Sequence, residues 1–258
     1  MSGFKRRLSI ALAGLLGAAA LTGALAHSEI VKLGNLIVEI DGGVKPTKLH
    51  KRKLTPIGLR AEGHIRTDDS TVPPIVKRIV IDFDRRGTLD VRGLARCNPQ
   101  RIRNANTKQA RKRCRRAIVG EGLVKAIIDL PDQEPFKAEG PLLAFNGPKR
   151  GKNPSIVFHA FAHVPLPTPF VTLAPITNAP GKQWGKRVNI RVPTIAGGNG
   201  VLTDVRIKVK RRWRHRGKRR SYLLAKCPTG KLRAKGFGEF IDGRRLEATI
   251  VRRCRGVR

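Results

Sequence analysis

The sequence offers four groups of side chains with the chemistry to bind or react. The densest is Lys208–Arg220, "KVKRRWRHRGKRR", nine basic residues with one histidine and one tryptophan. Alternation sets Val205, Ile207, Val209 and Trp213 on one face and Arg206, Lys208, Lys210, Arg212 and Arg214 on the other, with Arg211 interrupting the apolar side. His215-Arg216-Gly217-Lys218 supplies a turn, and Tyr222 to Ala225 returns toward Cys227. The expectation is one long hairpin with cations about 6.7 Å apart along a solvated face. Arg206, Lys208, Lys210, Arg212, Arg214, Arg216 and Lys218 are the candidate contacts to a phosphate chain, held mainly by counterion release. The competing reading is an edge strand guarded by charge against sheet-to-sheet pairing.

The second group, Asp82, Asp84, Gly87 and Asp90, has the first, third, sixth and ninth positions of a calcium loop. Arg86 stands at the fifth position and Gly93 where the bidentate glutamate belongs, so a charged hairpin turn is the reading. His159 and His163 form the third. On a strand, four-apart residues lie roughly 13 Å apart, too far to share one ion, and surface or boundary histidines are expected. No nucleophile elbow, phosphate-binding glycine loop or catalytic cysteine motif occurs, so no catalytic residue and no cofactor or metal is assigned. A carboxylate pair for glycoside hydrolysis leaves no compulsory spacing, which keeps a hydrolase as the third functional alternative.

The cysteines are the fourth group. Cys97, Cys114, Cys227 and Cys254 are separated by 17, 113 and 27 residues, unlike the close ligand pairs of a zinc site. Three disulfide pairings are open; Cys97–Cys114 and Cys227–Cys254 are preferred because each closes a local loop.

Pairing of thiols depends on compartment, and the first 26 residues address it. Lys5, Arg6 and Arg7 precede an uncharged apolar run, Leu8 to Leu25, and Ala24-Leu25-Ala26 is a small-x-small cleavage site. Residues 1–26 read as a secretory signal peptide, with a membrane anchor and a twin-arginine signal as the alternatives. Removing three cations from a formal net charge of +36 leaves +33 on a soluble, extracytoplasmic chain with no anchor. With 40% apolar residues in strand-length blocks, a folded domain with a basic coat is expected rather than a disordered polycation.

The elements that must position these groups are mostly strands. Ile75, Ile79, Ile81 and Phe83 share one face, as do Ile156, Phe158, Ala160, Ala162 and Val164. Further strands are predicted near 36–40, 57–65, 123–130, 142–145, 170–176 and 188–192. The fold class is all-β, mainly antiparallel and sandwich-like or barrel-like, with one short helix near 107–117 capped by Thr107. Residues 27–258 form a single disulfide-containing domain, with Pro165–Pro169 as the place for a subdivision. Phe240, Leu246, Ala248 and Ile250 share parity across Asp242-Gly243, which requires an odd-numbered loop; the preferred register faces Phe240 with Leu246.

The blocks "GLARC", "ARKRCRRAIVGEG", "LLAFNG", "SYLLAKCPTG" and "FIDGRRLEATIVRRC" occur in an order that resembles a group of secreted actinobacterial proteins of similar length. All four cysteines have counterparts there, and the resemblance spans roughly Ile57 to Cys254. It implies export, paired cysteines and a shared fold, and it implies no activity. The density of Arg and Lys around Trp213 is the departure from it. The leading functional expectation is a secreted or envelope-associated protein without catalytic activity. The runner-up is an extracellular module that binds anionic cell-wall or other extracellular polymers, not intracellular nucleic acid, through the basic hairpin.

Overall fold

A computed structural model describes residues 28–258; the signal-peptide reading lies outside the described residues. In chain order the strands begin with β1 (Glu29–Leu33), β2 (Leu36–Lys45), β3 (Lys48–His50), β4 (Thr55–Thr67), β5 (Val76–Asp84) and β6 (Gly87–Leu89). After α1 (Thr107–Arg113) come β7 (Ile118–Ile128), β8 (Phe136–Asn146), β9 (Ser155–Ala162), β10 (Thr168–Asn178) and β11 (Trp184–Arg191). The last part holds β12 (Gly200–Val209), β13 (Arg212–His215), β14 (Lys218–Ser221), β15 (Leu223–Ala225), β16 (Lys231–Phe240), β17 (Arg245–Arg253) and β18 (Arg255–Val257). Over the described residues the protein is all-β with one short α-helix.

Twelve strands follow one antiparallel path, β1-β2-β4-β12-β7-β8-β9-β10-β11-β5-β16-β17, which curls into a nearly closed barrel. Two-residue periodicity explains why: facing pairs such as Val38–Ile65, Val205–Val124 and Ile81–Val188 place apolar side chains on the same, inner surface. The outer surface carries Arg66 with Glu39 and Arg206 with Glu62. That is the reverse of the apolar-out alternation of a lipid-embedded barrel. Among the described residues no helix is long and apolar enough to cross a membrane.

Curvature needs close backbone approach. A Cβ on Gly122 would fall 1.8 Å from the Arg206 carbonyl oxygen, and one on Gly140 2.2 Å from that of Phe161. Glycine at these two points lets β7 and β8 bend around the barrel wall. The path is completed where β17 lies against β1 and β2. There Leu36, Val76, Phe240 and Leu246 form a buried cluster with Val31. Lower on the same seam, the Arg252 guanidinium donates to the Gly42 carbonyl at 2.6 Å and to Asp41 Oδ1 at 2.5 Å.

Antiparallel order puts successive connections at opposite ends. The upper end receives 34–35, 68–75, 129–135, 163–167, 192–199 and 241–244, all short. The lower end receives 46–54, 85–117, 147–154, 179–183, 210–230 and the tail 254–258. Its long excursions close it: β15 pairs with β4 and β6 beneath the barrel, and Tyr222 beside it is 1% exposed. Burial of that phenol pushes its pKa well above the usual tyrosine range.

Both disulfides belong to the lower end. Cys97–Cys114 ties excursion 85–117 to itself, and Cys227–Cys254 ties excursion 210–230 to the tail. Around the first, Ile102, Ala105 and Ala110 pack on Leu143, Phe145 and Val157 of β8 and β9, so α1 covers the outside of the wall. Its cap is Asn106, not Thr107. Asn106 Oδ1 accepts from the Gln109 N–H while Gln109 Oε1 accepts from the Asn106 N–H, a reciprocal capping box. The helix ends at Arg113, and 115–117 continues as a single 3₁₀ turn.

Pro165–Pro169 lies between the neighbouring strands β9 and β10, Thr168 and Pro169 already facing Ala162 and Phe161. One further expectation is refined. The loop at Asp242-Gly243 is odd-numbered, as parity requires, but Leu246 faces Gly238, and the Phe240 N–H bonds the Arg244 carbonyl. A register shift of two residues leaves every inner side chain on the inner face, so alternation alone does not choose between them.

Candidate polyanion-binding pole

Charge divides between the two ends. The lower connections hold thirty-one lysines and arginines and one carboxylate, Asp90. The upper connections hold six carboxylates, Asp68, Asp69, Asp129, Asp132, Glu134 and Asp242, and one arginine, Arg244. At the lower pole the self-repulsion of so many cations is relieved at few points. Arg86 bonds Asp84, Arg92 and Arg220 both bond Asp90, and Arg111 reaches Glu121.

The basic stretch contributes a small separate hairpin, β13 with β14. Arg212 faces Ser221, Trp213 faces Arg220, Arg214 faces Arg219 and His215 faces Lys218. Arg216 (φ 49°) and Gly217 (φ 72°) turn it with two consecutive left-handed residues, the twist that suits a two-residue loop. Its inner side is pinned to the loop at 90–93. Trp213 Nε1 donates to the Arg92 carbonyl at 3.0 Å, and Arg220 Nη1 donates to Asp90 Oδ2 at 2.7 Å. Gly93, at φ 70°, admits the His215 ring where a Cβ would meet its Nδ1 at 2.1 Å. Arg212, Arg214, Arg216, Lys218 and Arg219 are left exposed on the outer side and tip.

The Asp90 carboxyl anchors this arrangement. Hydrogen bonds from the Arg92 guanidinium, joined by Arg220, hold it far below the usual carboxylate range, against the opposing effect of burial. A groove of about 480 Å³ runs beside the anchor, and Arg92, Arg96, Arg116 and Lys149 are among its lining residues. Among the described residues no carboxylate pairs with Arg96, Arg116 or Lys149.

The predicted ladder is therefore placed in two parts. Arg206 and Lys208 sit on the outer wall in β12, where the neighbouring strands supply acids: Arg206 Nε lies 3.3 Å from Glu62 Oε1, and Lys208 faces Glu121. Lys210 packs over Gly58, and its N–H bonds the Val119 carbonyl at the barrel's lower edge. Arg212, Arg214, Arg216 and Lys218 belong to the hairpin. The continuous ladder breaks at Lys210-Arg211 because β12 is paired on both sides by β4 and β7, whereas β13 has only β14. Arg219, the anchors Arg92 and Arg220, and the groove cations were not singled out from the sequence. The signal for them is a count of charge per connection, which needs strand order first.

The other candidates are structural. Asp82 takes a two-point bond from Arg187, at 2.6 and 2.7 Å, and Asp84 accepts from the Arg86 side chain and the Arg233 N–H. Among the described residues no group of His, Cys, Asp or Glu is arranged to hold a metal ion. His163 is exposed, but His159 is fully buried, contrary to the expectation of a surface or boundary position. Excursion 85–117 covers that face of β9, and His159 Nε2 donates to the Ala105 carbonyl at 2.7 Å. Burial lowers its pKa, so the ring is held neutral.

Comparison of the chain with known protein families, with curated proteins and with solved structures gave no match.

Proposed function

We propose that this is an exported, non-catalytic protein that docks by its lower pole on a phosphate-rich anionic polymer of the cell envelope or extracellular space. The observation that carries the reading is the segregation of charge: thirty-one cations against one carboxylate at one end of the barrel. Cations spread evenly over a surface give solubility and weak attraction. The same charges gathered at one end make a field that orients an approaching polyanion.

Several features support a chain-like ligand over a flat one. The cations lie on excursions that cover both the floor of the barrel and, through α1, the outside of β8 and β9. A flexible polymer can follow such a surface, whereas a bilayer meets it in one plane. The hairpin tip carries Arg216 and Lys218 with no apolar residue to enter a membrane. With Trp213 turned inward, aromatic stacking on bases is not offered, and binding rests on phosphate charge. The paired cysteines fit an oxidising compartment, in agreement with the signal peptide read from the sequence.

Long-chain inorganic polyphosphate is the probe. Its affinity should fall steeply with salt. Changing Arg212, Arg214, Arg216, Lys218 and Arg219 together to Gln should flatten the log–log salt slope by about 3 to 4 units, as expected for five lost single-strand contacts. Changing Arg206 and Lys208 should alter it little. Equal losses per charge from the wall and from the hairpin would overturn the assignment to the pole.

A further inference from the structure

The barrel interior holds a cavity separate from the lower pole. Twelve strands enclose more width than side chains from the wall can fill; about eight strands is the size at which they meet. Accordingly the inward residues of the middle belt, among them Ile65, Ile81, Val124, Phe158, Phe170 and Val205, are only half-buried. They face a cavity of about 790 Å³, within the roughly 300–1,000 Å³ range of small-molecule sites. Exposed apolar surface on this scale marks a place where something apolar binds.

The lining states the ligand's chemistry. Several polar side chains of the lining already have partners: Thr172 donates to the Arg191 carbonyl, Thr203 to Asp204, Lys186 to Asn178, and Arg252 to Asp41 and Gly42. On the floor, the Tyr222 hydroxyl is buried without a partner. A sugar, a nucleotide or an ion would lose its hydration here and gain few compensating hydrogen bonds, one hydroxyl on an apolar wall being far short of what it needs. The floor is shut by Tyr222 to Ala225. At the upper end the cavity reaches Leu166, 71% exposed, and Val164, 46% exposed, in the turn after β9. The adjacent turn, 129–135, contributes Leu130 to the lining and presents Asp129, Asp132 and Glu134. An anionic head group at this mouth would meet like charge.

We propose that the barrel interior binds an elongated, uncharged hydrocarbon chain, acyl or isoprenoid, admitted at the upper end. The site stands apart from the polyanion reading, because it lies inside the wall and opens at the opposite pole.

The test uses the neutral fluorophore N-phenyl-1-naphthylamine with the disulfide-intact mature protein. Saturable, one-to-one enhancement is expected, displaced by hexadecan-1-ol at least about tenfold better than by hexadecanoate. Ala160→Trp and Ala126→Phe, which project bulk from the inner wall, should each weaken probe binding at least tenfold with an unchanged thermal transition. Leu166→Asp, at an exposed position that does not threaten folding, should slow uptake. Saturating polyphosphate should leave the probe bound, so failure of one site is distinguishable from failure of the other. Absence of saturable binding, or full binding in both filled variants, overturns the proposal. Equal or better displacement by hexadecanoate overturns the uncharged-head assignment.

Discussion

The two ends of the barrel, one with six connections and the other with five and the tail, are built to opposite rules. The upper end is made of short turns, with carboxylates and exposed apolar tips such as Leu166 and Ile241. The lower end includes the long excursions, which with the tail carry the helix, both disulfides and the separate hairpin, and it holds most of the cations that no carboxylate faces. A strand ladder tolerates either kind of connection, because the wall's hydrogen bonds do not depend on what joins the strands. The difference teaches that the wall supplies the scaffold and the cavity, while the charge pattern is a property of the connections.

The comparison is broken most directly by cutting the lower end's cross-links. Replacing Cys97 and Cys114 together by Ala should cost about 3 kcal/mol in denaturant unfolding by the chain-entropy argument, with a similar cost for Cys227 and Cys254. Fluorophore binding in the wall should survive in the fraction that remains folded. Next in size, Gly93→Ala sets a Cβ against the His215 ring and strains a left-handed backbone; it should cost about 1–3 kcal/mol and weaken polyphosphate binding by freeing the hairpin. A smaller change sharpens the contrast from the other side. Reversing Asp129, Asp132 and Glu134 to Lys should raise hexadecanoate affinity relative to hexadecanol without moving the polyphosphate salt slope.

The smallest effect concerns pH. His159 is neutral in the folded protein because burial lowers its pKa, while the unfolded chain takes up a proton near the ordinary value of about 6.5. The unfolded state therefore binds more protons as pH falls through 6.5. Stability should decrease on acidification over that window and level off below the depressed folded pKa. His159→Gln should remove this component. Asp90 has the same sign in a lower window: its carboxyl stays ionised to well below the usual carboxylate range, so its contribution is lost only below the ordinary carboxylate pKa and the hairpin anchor holds throughout the histidine window.

The strands were legible in the sequence because each needs only local alternation, as at Ile79, Ile81 and Phe83. The local cysteine loops were legible for the same reason. Closure was not: alternation assigns residues to a face but carries no measure of curvature, which depends on Gly122 and Gly140 meeting partners more than 20 residues away in sequence. The hollow interior follows from closure and was equally hidden. For the basic stretch, alternation runs through Lys210-Arg211 without a visible break. The break is imposed by β12 having two neighbours and β13 one, a fact of topology. His159 was misplaced because what buries it is an excursion anchored at Ala105.

One further consequence belongs to the seam. The barrel is completed where β17 lies against β1 and β2, with Arg252 reaching Asp41 over more than 200 residues of chain. Without those contacts the same strands would form an open sheet with two free margins. Until they meet, the apolar inner face stands in water. Closing the seam is thus also what creates the cavity, and a hydrocarbon chain bound there would favour the closed wall over the open sheet by mass action.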